Sequence, residues 1–178
     1  PYMAHDGSDW YGVSGDKTID KFNTSGVSQS TITLDEPNPT PPDDWRLDAF
    51  GFDDDGNIVA INSHIDTTTE QYDLYVSRYD STGTLITGSF TGSADSVRIL
   101  DNADGDGIDH FLRIAINSSD GRFVICEVHP DADNFGKIAS YDKDGVEIGT
   151  CDVDGVVVST AYYNSEIYIA TQGVAGLT

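Results

Sequence analysis

The chain is poor in basic residues, with 9 Lys and Arg against 31 Asp and Glu, and its formal net charge is −22. Binding to nucleic acid through phosphate neutralisation needs a basic surface, so the charge excludes that class of partner. It also disfavours adsorption to anionic membranes. An acidic surface keeps halophilic proteins soluble, and bound cations are a second way to relieve the self-repulsion. We expect a salt-adapted, solvated surface.

Long apolar runs, cysteine and helical periodicity are also scarce. No run approaches the roughly 18 apolar residues of a transmembrane helix, so no membrane insertion is expected. The only cysteines, Cys126 and Cys151, are too few for a disulfide scaffold. Short runs of β-branched and aromatic residues alternate instead with clusters of Gly, Asp, Asn and Ser. The sequence therefore predicts an all-β fold of many short strands.

A five-residue phrase recurs three times and consists of an aromatic residue, Asn or Asp, two polar residues and glycine. The copies are residues 22–26, 79–83 and 141–145, and their glycines are 57 and 62 residues apart. A strand-like run lies on each side of every copy. This spacing is typical of stacked or radial arrays of small sheets, and it predicts that the phrase is a turn between the third and fourth strands of each unit.

The predicted strands group into repeated four-stranded antiparallel meanders. Residues 1–35 form a partial first unit, 36–45 a proline-rich connector, 46–93 a second unit, 94–154 a third, and 155–178 the start of a further unit. The strands of the second unit are predicted at Leu47–Phe52, Ile58–Ile65, Tyr72–Tyr79 and Thr84–Phe90. Those of the third are predicted at His110–Ile116, Phe123–His129, Lys137–Tyr141 and Val146–Cys151, with a further strand at Val97–Leu100.

The strand register predicts the state of the two cysteines. Cys126 falls in the second strand of its unit and Cys151 in the fourth, so the third strand separates them. Strands lie about 4.7–4.9 Å apart, which puts the pair about 9–10 Å apart. A disulfide requires Cα atoms within about 7 Å. We therefore expect two free thiols.

The meanders and their Tyr-Asp-x-x-Gly turns resemble the blades of β-propeller repeat proteins. The resemblance implies a partial or incomplete propeller-like array, because a closed propeller has about four to eight blades and this chain holds two complete and two partial units. Three arrangements stay open: a fragment of a longer polypeptide, a ring closed with another chain, and an open β-solenoid or sandwich.

The segment Asp101–His110 resembles the calcium loop of FG-GAP-type propeller blades, Asp-x-Asn-x-Asp-Gly-x-x-Asp. The resemblance implies a Ca²⁺ site formed by Asn102, Asp104, Asp106, the carbonyl of Ile108, and Asp109. Calcium takes about six to eight oxygen ligands. His110 stands where the family has a carboxylate, so Asp109 or Asp101 must replace it. The alternative is a solvated acidic hairpin loop, which is also the favoured interpretation of Asp53-Asp54-Asp55-Gly56.

The sequence carries no catalytic signature, since no histidine pair has zinc spacing and no G-x-S-x-G is present. We therefore expect a non-catalytic structural or recognition module on an extracellular or virion surface. Its expected partners are other copies or chains of the same surface assembly, and a glycan or host-surface ligand. The alternative is part of a propeller-fold enzyme that acts on glycans through channel carboxylates.

Five aromatic residues are candidates for stacking on a glycan: Trp10, Tyr11, Trp45, Tyr162 and Tyr163. Packing in a core between sheets is the commoner use of such side chains. Exposure in the folded chain separates the two uses.

Overall fold

The computed structural model describes residues 3–37, 44–66, 71–101, 113–128, 135–163 and 166–172. These residues form fourteen β-strands and one 3₁₀ turn, Thr91–Ser93, with no α-helix among them, so the all-β prediction is confirmed. The first seven strands are β1 (Met3–His5), β2 (Trp10–Gly15), β3 (Thr18–Phe22), β4 (Ser28–Thr33), β5 (Asp44–Phe52), β6 (Ile58–Asp66) and β7 (Gln71–Tyr79). The others are β8 (Ser96–Asp101), β9 (Arg113–Ile116), β10 (Phe123–Val128), β11 (Phe135–Tyr141), β12 (Glu147–Asp154), β13 (Val156–Tyr163) and β14 (Glu166–Gln172).

The strands form four sheets, and each sheet is an antiparallel meander in chain order. Sheet 1 contains β1–β4, sheet 2 β5–β8, sheet 3 β9–β12 and sheet 4 β13–β14. Repeated four-stranded meanders are therefore confirmed, and no sheet closes on itself among the described strands. The division of the chain into five segments stays a prediction.

The fourth strand of sheet 2 differs from the prediction. Thr84–Phe90 was expected as this strand, but it makes only isolated bridges, and Ser96–Asp101 pairs with β7 instead. Two contacts explain the difference. The Leu85 N–H donates to the Asp35 carboxylate of the neighbouring unit at 3.0 Å, and Gly88 takes a φ of 66° that interrupts extended backbone.

The sheets stack face to face, and sheet 2 lies between sheets 1 and 3. Successive side chains of a strand point to opposite faces, and β6 fills both faces with apolar residues. Ile58 and Ala60 belong to the core shared with sheet 1, whereas Val59 and Ile61 belong to the core shared with sheet 3. All four are 0% exposed. A third core, formed by Val124, Cys126, Ile138 and Val157, joins sheet 3 to sheet 4.

Candidate functional site

The repeated phrase forms the same hydrogen-bonded turn in all three copies. The Oδ1 atom of Asn23 accepts the N–H groups of the residues two and four positions ahead at 3.0 and 2.9 Å. Asp80 does so at 2.8 and 3.0 Å, and Asp142 at 3.0 and 2.8 Å. Each final glycine has a positive φ, which this type of turn requires and other residues rarely adopt. The phrase is therefore a structural device.

Asp53 heads a fourth copy of the turn that the sequence pattern did not reveal as such. Phe52-Asp53-Asp54-Asp55-Gly56 joins the first and second strands of sheet 2, and Asp53 Oδ1 accepts the N–H groups of Asp55 and Asn57 at 3.0 and 2.8 Å. The signal was present as an aromatic residue, Asp, two polar residues and Gly. The run of three aspartates concealed it. Asp54 and Asp55 are exposed, as expected of a solvated turn, whereas Asp53 is buried.

These turns lie at one end of the stack, because the first and third connections of an antiparallel meander fall at the same edge of its sheet. At this end the first strands of the sheets meet in chain order, β1 with β5, β5 with β9, and β9 with β13. They line a cavity of about 500 Å³, here called the central cleft. Its walls are His5, Asp6, residues 50–54, residues 114–116, Ser118 and residues 160–162, among others.

Asp6 is the first carboxylate of the central cleft, and both of its oxygens accept hydrogen bonds from nearby residues of β2 and of the turn before it. It accepts hydrogen bonds from the Ser8 and Asp9 N–H groups, both at 2.8 Å, and from the Tyr11 hydroxyl at 2.7 Å. Partial burial acts to raise the pKa of Asp6, but these hydrogen bonds and the nearby Lys21 charge outweigh it and lower the pKa below its ordinary value. Asp6 is therefore ionised and unsuited to act as a general acid near neutral pH.

Asp53, the second carboxylate, is buried and paired with Arg78. Its Oδ2 lies 3.1 Å from Arg78 Nε, and the two side chains are 4% and 11% exposed. Arg78 also donates to the carbonyl oxygens of Ser89 at 2.9 Å and Lys143 at 2.8 Å, and its guanidinium lies 4.9 Å from the Phe90 ring centroid. This network ties the turns of sheets 2 and 3 together, so Asp53 has a structural use.

Asp54 is the remaining carboxylate of the central cleft. It is exposed and makes no hydrogen bond within the described residues. Tyr162 lies on the opposite strand wall, and partial burial raises the pKa of its phenol, which is therefore neutral at physiological pH. Among the described residues that line the central cleft, one carboxylate is uncommitted, whereas glycoside hydrolysis normally uses a pair.

The five candidate aromatic residues separate by exposure. Tyr11 and Trp45 are 5% and 2% exposed and belong to the core between sheets 1 and 2. Tyr162 is half-buried in the central cleft. Trp10 and Tyr163 are 45% and 66% exposed. Among the five, these last two are the exposed side chains, and each has an edge-to-face aromatic neighbour, His5 for Trp10 and Tyr168 for Tyr163.

The candidate calcium loop cannot be placed, because Asn102, Asp104, Asp106, Ile108 and Asp109 lie outside the described residues, as do His110 and the side chain of Asp101. Within the described part of the chain, no group of three or more His, Cys, Asp or Glu residues is positioned to hold a metal ion. The calcium site stays a prediction from the sequence.

The cysteine prediction is confirmed by strand register. Ile138 of β11 pairs with Cys126 on one side and with Cys151 on the other, so one strand lies between the two cysteines. Both are free thiols. Cys126 is buried in the core between sheets 3 and 4, and burial raises the pKa of its thiol to about 11. Cys151 is exposed.

His64 is a buried titratable group at the opposite end of sheet 2 from the turns. It is 3% exposed, and neither ring nitrogen has a hydrogen-bond partner within the described part of the chain. Its ring centroid lies 4.6 Å from that of Tyr75. Burial lowers the pKa of His64 to about 4 against the opposing effect of Asp73. His64 is therefore a neutral packing residue at physiological pH.

Comparison with protein-family models gives no match, and comparison with curated proteins gives no similar sequence. The described residues include no helix of the length and apolarity that a membrane crossing requires.

Proposed function

We propose that the chain is a non-catalytic module of propeller-like repeats that serves a structural and recognition role on an extracellular or virion surface. One observation carries this proposal: the repeated phrase, and two of the three carboxylates that the described residues bring to the central cleft, are used to hold turns and to join sheets. The contacts between successive first strands around the cleft support a radial arrangement of the sheets. A radial array whose most regular features are structural suits binding and assembly better than catalysis.

The free surfaces of the outer sheets support a role in assembly. Tyr163 and Tyr168 of sheet 4 are 66% and 52% exposed, and their ring centroids lie 6.2 Å apart. Contiguous exposed apolar side chains are typical of surfaces that meet a partner. We propose that other copies or chains of the same surface assembly are the partners.

Calcium at Asn102–Asp109 would stabilise the module further. Calorimetric titration with Ca²⁺ and thermal melting before and after chelation test this part, which fails if no binding is measured and chelation leaves the melting temperature unchanged.

Glycan hydrolysis is the function to test against, because Asp54 is an uncommitted carboxylate in the central cleft. The protein in high-salt buffer is incubated with a panel of oligosaccharides and chromogenic glycosides. The proposal expects no turnover above the buffer blank. Turnover that Asp54→Asn abolishes and Asp55→Asn retains would overturn it. Asp55 is a matched control because it is exposed in the same turn and does not line the cleft.

A further inference from the structure

Three aromatic residues lie side by side on the face of sheet 1 that points away from sheet 2. His5 pairs with Trp10 across β1 and β2, and Trp10 pairs with Phe22 across β2 and β3. Paired residues share a face, and Tyr11, next to Trp10, points to the opposite face and is buried against sheet 2. Because adjacent strands lie about 4.7–4.9 Å apart, the row extends about 9–10 Å. Its length is comparable with that of a disaccharide.

The Trp10 ring is exposed and nevertheless held in place. The His5 and Trp10 ring centroids are 4.7 Å apart in an edge-to-face arrangement with an interplanar angle of 61°. The His5 ring is fixed in turn, because its Nδ1 accepts the Gly7 N–H at 3.0 Å. A platform fixed before binding loses little conformational entropy when a ligand is bound.

The row borders a groove of about 520 Å³, here called the Trp10 groove, which is lined by Met3, Trp10, Phe22, Asn23, Thr24 and Gly26. None of these side chains is charged, although the chain carries a net charge of −22. A cation would find stronger attraction at the acidic turns, and the overall charge repels an anion. Charge complementarity therefore favours a neutral ligand.

The turn at this groove differs chemically from the other copies. The second residue of the phrase is Asp80, Asp142 or Asp53 in the other copies of the turn, whereas it is Asn23 in the copy at the Trp10 groove. Asn23 Oδ1 makes the same turn hydrogen bonds as those aspartates, so the turn does not require the amide. The substitution removes a negative charge and adds an N–H₂ donor, which makes no hydrogen bond within the described residues. Thr24 adds an exposed hydroxyl beside it.

We propose that the Trp10 groove binds a neutral saccharide. The apolar face of a pyranose ring stacks on Trp10, and the Asn23 amide and Thr24 hydroxyl hydrogen-bond to the sugar hydroxyls. An aromatic platform with an uncharged polar rim matches the two kinds of surface that a sugar ring presents. This inference deepens the proposed recognition role and rests on it.

Tryptophan fluorescence tests the proposal, because Trp10 is exposed and the other tryptophan, Trp45, is buried. The protein is titrated with cellopentaose, maltopentaose, xylopentaose, mannopentaose and chitopentaose. At least one sugar is expected to shift the emission saturably to shorter wavelength. Trp10→Ala is expected to weaken that sugar's binding, measured by calorimetry, about tenfold or more. Ile148→Ala, which removes an exposed apolar side chain from sheet 3, should leave the affinity unchanged.

Asn23→Asp separates recognition from folding. Aspartate supports the turn in the other copies, so this variant is expected to keep the stability of the parent chain while weakening sugar binding severalfold. Absence of binding to all five sugars, or equal affinity in the parent chain, Trp10→Ala and Asn23→Asp, would overturn the proposal. Either result would leave the proposal of a non-catalytic module standing, because that proposal is contradicted by glycan turnover that depends on Asp54.

Discussion

Sheets 1 and 2 have the same strand order and the same turn phrase, yet they differ in what covers them. Sheet 2 packs against sheets 1 and 3, and its strand β6 is apolar on both faces. Sheet 1 packs against sheet 2 through one face and presents Trp10 on the other. The difference teaches that one repeat can be covered on both faces in the middle of the stack and can leave one face exposed at its side, where we propose that recognition occurs. The four predictions below test this division.

The largest effect is expected from removing an aromatic side chain in the covered sheet. Phe50 of sheet 2 is 0% exposed, so Phe50→Ala should lower the free energy of unfolding by about 3–5 kcal/mol through lost burial and a residual cavity. Trp10→Ala on the free face of sheet 1 should lower it by less than about 1 kcal/mol. Urea unfolding followed by circular dichroism measures both. Equal losses would contradict the division.

The buried histidine of sheet 2 should make stability depend on pH. The pKa of His64 is lowered to about 4 in the folded chain, whereas an unfolded histidine titrates near ~6.5. The unfolded state therefore binds the proton first. The stability that neutral His64 provides is complete above about pH 6.5 and is lost as the pH falls towards 4, by roughly 3 kcal/mol.

His64→Phe serves as the comparison for this effect, because it keeps an aromatic ring and removes the titration. The carboxylates titrate in both proteins, so the difference between their unfolding free energies isolates the histidine. That difference should change with pH in favour of the variant between pH 7 and 4. If the difference between the two unfolding free energies stays constant over this pH range, protonation of His64 does not destabilise the folded chain.

The glycines of the repeated turn offer the same substitution in two surroundings. A Cβ on Gly83 would collide with the Thr33 carbonyl oxygen and approach Ile32 Cγ2 to 2.9 Å, whereas a Cβ on Gly26 meets nothing within 4 Å. Both glycines have positive φ, 92° and 75°, so both variants incur the backbone cost of about 1 kcal/mol. Gly83→Ala should lose roughly 2–4 kcal/mol in total, since the contact of sheets 1 and 2 must also shift.

Chemical denaturation of the two alanine variants distinguishes the contributions. Similar losses in Gly83→Ala and Gly26→Ala would mean that the close approach between sheets 1 and 2 is not maintained in solution.

The smallest change concerns reactivity rather than stability. Sheet 3 contains one buried cysteine, Cys126, and one exposed cysteine, Cys151. A disulfide-exchange reagent should modify Cys151 rapidly and Cys126 only on unfolding, because burial raises the pKa of the Cys126 thiol to about 11 and removes it from the reagent. Mass spectrometry of partly modified protein identifies the site. Rapid modification of both would contradict the packing of sheet 4 on sheet 3.

Much of the fold could be predicted because alternation and turn chemistry are local. The phrase at Tyr141–Gly145 marked the turn between β11 and β12, and the register it set placed Cys126 and Cys151 on either side of β11. The error at Thr84–Phe90 has a non-local cause, since Asp35 of the preceding unit binds the Leu85 N–H. Strand β1, three residues long, was too short to show a pattern.

The candidate sites were less predictable than the fold. Periodicity does not show which strands meet around a cleft, and the commitment of Asp53 depends on Arg78, which lies 25 residues away in sequence. The contrast between Trp10 and Trp45 is likewise a property of stacking, because both stand near the start of a strand. Only the stacked structure separates the exposed ring from the buried one.

Hydrogen exchange of backbone amides in the native protein compares the middle sheet with sheet 1 directly, because it reports the local free energy of opening strand by strand. We expect the amides of β6 to be the slowest to exchange, with protection at least about tenfold above that of β3, the third strand of sheet 1. Equal protection in β3 and β6, or greater protection in β3, would contradict a rigid middle sheet that supports a free recognition face.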